Sequence, residues 1–416
     1  MSLKIQHCLR RLTQRLQRQQ PWQAVWVRWA GVLALTVLAE PLIWQVASPK
    51  GVSANPAPTS FETFAEWCFN KAQLTPEAQH TVALLLEKAE TQDCDRAQQT
   101  LAKRQALYLD DSQISDVAPI ATLTQLDWLE LQNNQITDIT ALTKLSKLRL
   151  LYLYGNQIAD VTPLANLSNL KWLDLTDNQI ADVAPLANLT QLLTLNLGGN
   201  QIGQGIAPLT QLPNLTDLYL GRNQIADITP LASLTQLNVL ALNGNQISDL
   251  APLAQLSQLV MIHLNDNQIS DLAPLASLTR LRLLFLHNNQ INDLAPLASL
   301  TQLTEIFLRN NQISTVAPLS MLTQLIDLDI GSNQIADVAP LARLTQLTGL
   351  RLNDNQIADI APLATLTQLQ SLDLGSNQIA TVEPLISLTN LTFLGLHYNP
   401  LNPQACPGPL EAICQF

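Results

Sequence analysis

The chain has 416 residues, of which 47% are hydrophobic and only 13% are charged. This composition is too apolar for a disordered protein, and its richness in Leu, Asn, Gln and Pro suggests an internal repeat. The formal net charge is −11, and residues 105–405 carry 24 acidic against 10 basic residues. Because an acidic surface repels phosphate backbones, no nucleic-acid partner is expected.

Residues 1–54 have the composition of an export segment. Residues 1–30 contain six basic residues and no acidic one, and an apolar stretch extends over residues 22–47. The charge-free core of this stretch, residues 29–39, is shorter than the roughly 20 residues of a membrane span. We therefore expect a signal peptide, with a small-residue cleavage site ending at Ala54.

An uncleaved N-terminal membrane anchor is the alternative interpretation of the same stretch. Trp26 and Trp44 would be separated by roughly 27 Å of helix, which places one at each membrane interface. Glu40 would then lie in hydrocarbon, which is energetically costly. A buried core helix explains neither the basic flank nor the Pro-, Ser- and Ala-containing linker at 48–60. Both export interpretations put residues 55–416 outside the cytoplasm, where the chain is secreted, periplasmic or anchored to the membrane.

A single phrase, close to LxxLxLxxNQIxDxxPLAxLTQ, recurs from Leu107 to Pro400. Each step is 22 residues long except the step from Asn200 to Asn223, which is 23 residues long. Ser112 takes the Asn position in the first unit, so the phrase occurs 14 times. The Asn positions are Asn134, Asn156, Asn178, Asn200, Asn223, Asn245, Asn267, Asn289, Asn311, Asn333, Asn355, Asn377 and Asn399.

The apolar spacing within one unit predicts how the chain folds. In the unit of Asn156, Leu151 and Leu153 flank Tyr152 with the period of two of a β-strand, so both leucines point to one face. The other apolar residues return to that face, and only stacked units can bury them all in a continuous core. We expect Asn156 to turn inward and to bond the backbone of its own loop and of the next. Removing such a buried partner costs about 1–3 kcal/mol.

An Asp stands four residues after most of the repeat Asn positions. Aligned carboxylates are potential calcium ligands, but Thr315 and Thr381 occupy the same position, and Thr caps a turn well and is a poor calcium ligand. We therefore expect these side chains to accept a hydrogen bond from the following turn, and we expect no metal and no cofactor. The Asp residues are Asp116, Asp138, Asp160, Asp182, Asp227, Asp249, Asp271, Asp293, Asp337 and Asp359.

The repeat phrase resembles the 22-residue leucine-rich repeat class of bacterial internalins, and the resemblance covers residues 104–402. It implies an α/β repeat fold, a right-handed and curved leucine-rich repeat solenoid with a parallel sheet on the concave side and 3₁₀ turns on the convex side. It also implies a binding function, often toward another protein. In this interpretation, residues 104–401 form the array of 14 units and residues 402–416 form a C-terminal cap.

Residues 55–103 resemble the helical N-terminal cap that such arrays carry. Thr75 and Pro76 have the residue types of a helix N-cap and a first helical position. Asp93 or Asp95 can open another helix. The cap also contains two cysteines, which departs from many internalins.

Cysteine placement supports export. Cys8 belongs to the export segment, whereas Cys68 and Cys94 precede a cysteine-free array that Cys406 and Cys414 follow. Disulfides persist outside the cytosol, and the ends of a solenoid need covalent support. Zinc is the alternative, but no nearby CxxC or HxxxH spacing supports it. We therefore expect the disulfides Cys68–Cys94 and Cys406–Cys414.

Comparison of the repeats with one another locates the variable positions, which lie six, four, two and one residues before each Asn. The first three are expected to project onto the concave face. Aromatic residues suit strands in any case, but the core positions of these strands are nearly all Leu, so the aromatics should face outward, where clusters mark binding surfaces. All ten aromatic residues of the array occupy the variable positions: Tyr108, Trp128, Tyr152, Tyr154, Trp172, Tyr219, Phe285, Phe307, Phe393 and Tyr398.

The variable positions form three zones. The N-terminal aromatic zone consists of Trp128, Glu130, Tyr152, Tyr154, Trp172 and Asp174. The central aromatic zone consists of Met261, His263, Phe285, His287, Phe307 and Arg309. The C-terminal charged zone consists of Asp327, Asp329, Arg351 and Asp373. Small residues separate the first two zones, next to the long repeat, whose extra residue must bulge near Gly203-Gln204-Gly205: Thr194, Asn196, Gly198 and Gly199.

The sequence predicts an exported, non-enzymatic module that binds a protein or a peptide on its concave face. Fourteen residues are predicted to contact the partner: Trp128, Glu130, Tyr152, Tyr154, Trp172, Asp174, Tyr219, His263, Phe285, His287, Phe307, Arg309, Asp329 and Arg351. Glycan recognition is an alternative, because Trp and Tyr beside acidic residues also suit sugars, and a structural spacer without a ligand is another. Catalysis is not expected, because no nucleophile, phosphate loop or metal-ligand cluster accompanies the histidines and an open face excludes water poorly.

Overall fold

The computed structural model describes residues 61–401, 410 and 413–415. The expected export segment, Cys406 and most of the expected C-terminal cap lie outside the described residues. Within the part of the chain that is described, no helix combines the length and the apolar character needed to cross a membrane.

Three α-helices precede the repeats. They are α1 (Phe64–Phe69), α2 (Pro76–Lys88) and α3 (Cys94–Leu101), with a 3₁₀ turn at Lys71–Gln73 between α1 and α2. The predicted N-cap Thr75 accepts a hydrogen bond from the backbone N–H of Ala78, and Pro76 opens the helix. Asp93 caps α3 in the same way. These residues satisfy backbone N–H groups that have no partner inside the helix.

The helices cover the apolar end of the repeat array. Phe64, Leu85 and Leu101 are fully buried and belong to the same continuous core as the leucines of the repeats. The hydroxyl of Thr81 in α2 donates to the carbonyl of Asp116 in the first unit, at 2.7 Å. The expected disulfide between Cys68 and Cys94 is present and joins α1 to the start of α3. The cap therefore continues the core and is closed by a covalent bond.

Short parallel strands, one from each repeat unit, form one open sheet in chain order. Each residue pairs with its counterpart one repeat later, as Leu129 does with Leu151. The last strand, β15, comes from the C-terminal segment and extends the sheet beyond the repeats. The strands are β1 (Ala106–Tyr108), β2 (Trp128–Glu130), β3 (Leu150–Tyr152), β4 (Trp172–Asp174), β5 (Thr194–Asn196), β6 (Asp217–Tyr219), β7 (Val239–Ala241), β8 (Met261–His263), β9 (Leu283–Phe285), β10 (Glu305–Phe307), β11 (Asp327–Asp329), β12 (Gly349–Arg351), β13 (Ser371–Asp373), β14 (Phe393–Gly395) and β15 (Cys414–Gln415).

A 3₁₀ helix connects each repeat strand to the next. The capping role predicted for the Asp ladder is confirmed, because Asp249 accepts a hydrogen bond from the N–H of Ala251 at 2.8 Å and the other Asp residues do the same in their units. The 3₁₀ helices are Ile120–Thr122, Thr140–Lys144, Thr162–Asn166, Ala184–Asn188, Ala207–Gln211, Thr229–Ser233, Ala251–Gln255, Ala273–Ser277, Ala295–Ser299, Ala317–Met321, Ala339–Arg343, Ala361–Thr365 and Glu383–Ser387.

The repeat asparagines fasten neighbouring units together, and one detail of the prediction was wrong. Asn267 donates to the carbonyl of Leu264 in its own loop at 3.1 Å. It also donates to Leu242 at 3.0 Å and accepts from the N–H of Ile247 at 3.0 Å, both in the preceding unit. The predicted bond to the next unit is therefore a bond to the preceding one. The reason is the direction of the Asn267 side chain, which points toward the loop of the preceding unit.

Candidate binding face

The strands present the predicted positions on one face of the sheet. In β3 the central Leu151 is fully buried, whereas Leu150 and Tyr152 on either side of it are half-buried. The same alternation recurs along the sheet, because successive residues of a strand point to opposite faces. We call the side chains six, four and two residues before each repeat Asn the open face.

The fourth variable position, one residue before each Asn, is constrained by its backbone conformation. Its backbone adopts a positive φ between 51° and 68° in every repeat unit. Only Gly, and to a lesser degree Asn and Asp, adopts this conformation easily. Ten of the fourteen residues found there are Gly, Asn or Asp, as the turn favours, and the other four are Arg222, Ser332, Ser376 and Tyr398: Asp111, Asn133, Gly155, Asp177, Gly199, Arg222, Gly244, Asp266, Asn288, Asn310, Ser332, Asp354, Ser376 and Tyr398.

In the N-terminal aromatic zone, the rings form a continuous row across β1 to β4. Trp128 lies edge-on to Tyr108, with ring centroids 5.6 Å apart. Tyr152 lies 6.4 Å from Trp128 and 6.0 Å from Trp172, tilted by 34° to each. These separations are typical of interacting aromatic pairs. Tyr108, which was not among the predicted contact residues, therefore belongs to the same row.

The acidic residues of this zone are less accessible than expected. Glu130 is only 9% exposed and accepts a hydrogen bond from the amide of Gln132 at 3.1 Å. Asp174 accepts from both the N–H and the hydroxyl of Thr176, at 3.0 and 2.6 Å. Burial raises the pKa of Asp174 above its usual range. Strands about 4.8 Å apart leave little room beside large rings, so the shorter acidic side chains are covered.

Gly199, one of the small residues between the first two zones, lies against an ion pair. Arg222 and Asp177, two repeats apart, meet at 2.8 Å. A Cβ atom at Gly199, in the unit between them, would collide with the Asp177 carboxylate. A side chain at Gly199 would therefore push the Asp177 carboxylate out of its present position. Close by, burial raises the pKa of Tyr219 and of Asp217.

In the central aromatic zone, the rings pack more tightly than in the first. Phe285 and Phe307 are stacked nearly parallel, with centroids 4.8 Å apart. His263 lies 5.1 Å from Phe285, and His287 lies 5.7 Å from Phe307. Phe285 is only 8% exposed, although the sequence predicted an exposed ring. The strand register places it between His263 and Phe307, and these two rings cover it.

The two histidines of this zone use a ring nitrogen within the face itself. Nε2 of His263 accepts from the side-chain amide of Asn265 at 2.9 Å. Nδ1 of His287 accepts from the backbone N–H of Arg309 at 3.0 Å. Burial lowers the pKa of His263 to about 4 and also lowers the pKa of His287. His263 is therefore neutral at physiological pH, and both histidines pack and accept hydrogen bonds.

The charges of the C-terminal charged zone bond to one another and to their own strands. Arg351 pairs with Asp327 at 3.0 Å. Asp329 is 7% exposed, and its carboxylate accepts from the N–H of Gly331 at 3.1 Å. Asp373 accepts from Gly375 in the same way. Asp329, which was predicted to contact a partner, is therefore a buried member of a backbone turn.

Comparison with known proteins agrees with this architecture. An internalin of Listeria monocytogenes is 34% identical over 83% of this chain and 98% of that one, with a TM-score of 0.65. The model of paired leucine-rich repeats matches residues 124–166, 168–212, 190–233, 213–255, 257–299, 301–343 and 345–387. The chain belongs to the internalin-like leucine-rich repeat proteins.

Two further structures share the fold of this internalin-like protein. A leucine-rich repeat protein of Leptospira interrogans is 26% identical over 76% of this chain and 85% of that one, with a TM-score of 0.72. A plant peptide hormone receptor, solved in complex with the hormone RGF2, is 23% identical over 72% of this chain and 52% of that one, with a TM-score of 0.61. No similar sequence was found among curated proteins.

Sequence reasoning on this internalin-like chain missed Gln132. Gln132 is 8% exposed, and its side-chain amide donates to the carboxylate of Glu130. A signal existed, because Gln132 occupies one of the three outward positions of its unit. Its chemistry is neither aromatic nor charged, however, so the composition of the zone did not draw attention to it.

Proposed function

We propose that this internalin-like protein is an exported, non-enzymatic binding module that holds a protein or a peptide on a concave open face. The observation that carries the proposal is the grouping of aromatic side chains on one face of the sheet. They form one row from Tyr108 to Trp172 and one stack around Phe285 and Phe307. Large aromatic side chains grouped at a surface are the usual anchors of protein interfaces.

The contact residues proposed for the partner remain those predicted from the sequence. The aromatic members are the anchors, while Glu130 and Asp329 reach a partner only through the parts of their carboxylates that are exposed. The full set is Trp128, Glu130, Tyr152, Tyr154, Trp172, Asp174, Tyr219, His263, Phe285, His287, Phe307, Arg309, Asp329 and Arg351.

Two further observations support the proposal. The plant receptor with the same fold was solved in complex with RGF2, so a solenoid of this fold can serve as a receptor for a peptide hormone. The disulfide between Cys68 and Cys94 supports export, because such bonds persist in oxidising compartments. The acidic array argues against a nucleic-acid partner.

The experiment compares binding by variants of the full chain. A partner is first captured from native extracellular material and purified. Its affinity is then measured for Trp128→Ala with Trp172→Ala, and separately for Phe285→Leu with Phe307→Leu. We expect each double variant to lose at least ~2 kcal/mol of affinity, about thirtyfold.

The control carries Met321→Ala and Ile386→Ala, two exposed apolar residues of the 3₁₀ helices. It should bind like the parent. Glycan recognition, the alternative, predicts that a sugar ligand depends on the tryptophan pair alone and not on the phenylalanine pair. If both open-face variants fold and bind every captured partner as the parent does, the ligand does not lie on this face.

A further inference from the structure

Buried polar atoms without a hydrogen-bond partner concentrate in the N-terminal aromatic zone. Across the described part of the chain, five buried side-chain nitrogen or oxygen atoms have no partner. Three of the five are the indole N–H groups of Trp128 and Trp172 and the amide oxygen of Gln132. Buried polar groups in folded proteins are nearly always paired. Together with Gln132, the zone therefore has two unused donors and one unused acceptor within three neighbouring strands, β2 to β4.

The same zone contains two carboxylates without a basic partner. None of the five ion pairs among the described residues includes Glu130 or Asp174. Their hydrogen bonds come instead from the neutral groups of Gln132 and Thr176. Burying a charged carboxylate without a cation costs free energy, because hydrogen bonds from neutral groups replace only part of the hydration that the charge loses.

The register of the sheet places these groups around one ring. Tyr152 pairs with Glu130 on one side and with Asp174 on the other. Trp128 and Trp172 lie two residues before Glu130 and Asp174 on the same two strands, and the centroids of both rings lie within 6.4 Å of the Tyr152 ring centroid. An aromatic face attracts a cation that lies within about 6 Å of its centre. Aromatic faces, carboxylates and an unused acceptor therefore converge on one place.

We propose that the N-terminal aromatic zone recognises an arginine side chain of the partner, an inference that rests on the proposed function. The guanidinium stacks on the rings and donates to Glu130 and to the amide oxygen of Gln132, while Asp174, two strands from Glu130, adds negative charge to the zone. Arginine fits better than lysine, because its planar group stacks on aromatic rings and offers five donors in fixed directions to several acceptors. The indole N–H groups donate to carbonyl oxygens of the partner backbone.

The test uses the full chain and three synthetic peptides observed by NMR titration. The probe is acetyl-Gly-Ser-Arg-Ser-Gly-amide, and the comparison peptides carry lysine or the neutral isostere citrulline in place of arginine. We expect the arginine peptide to bind at least tenfold more tightly than the citrulline peptide, with the lysine peptide between them. Raising the salt concentration should weaken binding of the arginine and lysine peptides and leave binding of the neutral citrulline peptide unchanged.

The variants remove charge without changing shape. Glu130→Gln with Asp174→Asn should weaken the arginine peptide at least tenfold. The matched control, Glu305→Gln with Asp373→Asn, makes the same chemical changes on the same face and should bind as the parent does. Trp172→Phe keeps an aromatic ring but lacks the N–H, and we expect a smaller loss of two- to fivefold. Melting temperatures verify that each variant is folded.

Several outcomes would overturn the inference. It fails if the arginine peptide does not bind, if it binds no better than the citrulline peptide, or if the Glu130 and Asp174 variant binds it normally. The proposed function would survive such a result if the captured partner still lost affinity for the Phe285 and Phe307 variant. Loss of both would remove the open face as a binding site altogether.

Discussion

Phe285 provides a sharp test of how the open face is built, because its ring is buried although it projects away from the core. Replacing Phe285 with Ala removes a ring that is 8% exposed and lies 4.8 Å from Phe307 and 5.1 Å from His263. In a closed core the same change costs about 3–5 kcal/mol. Here neighbouring side chains can relax into solvent, so we expect about 2–3 kcal/mol, of which the aromatic contacts supply roughly 0.5–1.5 kcal/mol each.

The assay is urea unfolding of the full chain followed by circular dichroism, with slopes compared because solenoids can unfold in parts. Phe285→Leu keeps apolar bulk but loses the stack and should cost about 1 kcal/mol. Tyr398→Ala is the exposed control, since Tyr398 is 85% exposed, and should change stability by no more than about 0.5 kcal/mol. A Phe285→Ala variant as stable as the Tyr398 control would show that the ring contributes no packing and would refute this account of the face.

Three other predictions concern the scaffold. Asn267→Ala leaves the N–H of Ile247 without a partner and removes one of the two donors to the carbonyls of Leu242 and Leu264, so it should cost about 1–3 kcal/mol in urea unfolding, whereas Gln268→Ala beside it should be neutral. Because burial lowers the pKa of His263 to about 4, the unfolded chain binds a proton between about pH 6.5 and pH 4 that the folded chain does not. The free energy of unfolding should therefore fall as the pH is lowered through this range, and His263→Gln should remove this part of the decrease. Asp249→Ala should cost about 1 kcal/mol by thermal unfolding, and a chelator should leave the parent's melting temperature unchanged, since a large drop would indicate a bound metal instead.

The regular part of this fold follows from spacing alone. A step of 22 residues, with two leucines on either side of an outward residue, specifies a short strand, a buried core and a connection to the next strand. The strand at Leu150–Tyr152 lies where Leu151 and Leu153 predict it. The cap of α2 is equally local, because Thr75 and Pro76 are sufficient to start a helix. Features that depend on one residue and its near neighbours in sequence were therefore predictable.

Features that depend on contacts between repeats were not predictable in the same way. The sequence identifies which residues project from the sheet, but not how far neighbouring side chains lean over one another. The burial of Phe285 arises from ring packing with Phe307 and His263, three residues that lie 22 positions apart. The direction of the Asn267 bonds depends on how the loop turns, which no local pattern records. The turn constraint one residue before each Asn was likewise visible only in the backbone angles.

The acidic residues of the open face illustrate why charge counted from a sequence overstates the charge that a partner meets. Asp174, Asp329 and Asp373 occupy the same position in their units, and one carboxylate oxygen of each accepts a hydrogen bond from the backbone N–H two residues later. Asn196 occupies that position in its own unit and makes the same bond to Gly198, so the bond does not require a charge. Glu130 is one methylene longer and bonds the side chain of Gln132 instead. Asp327 is already paired with Arg351. Glu130 and Asp174, which take part in no ion pair, lie beside the aromatic row, so an incoming positive charge meets carboxylates and aromatic rings together there.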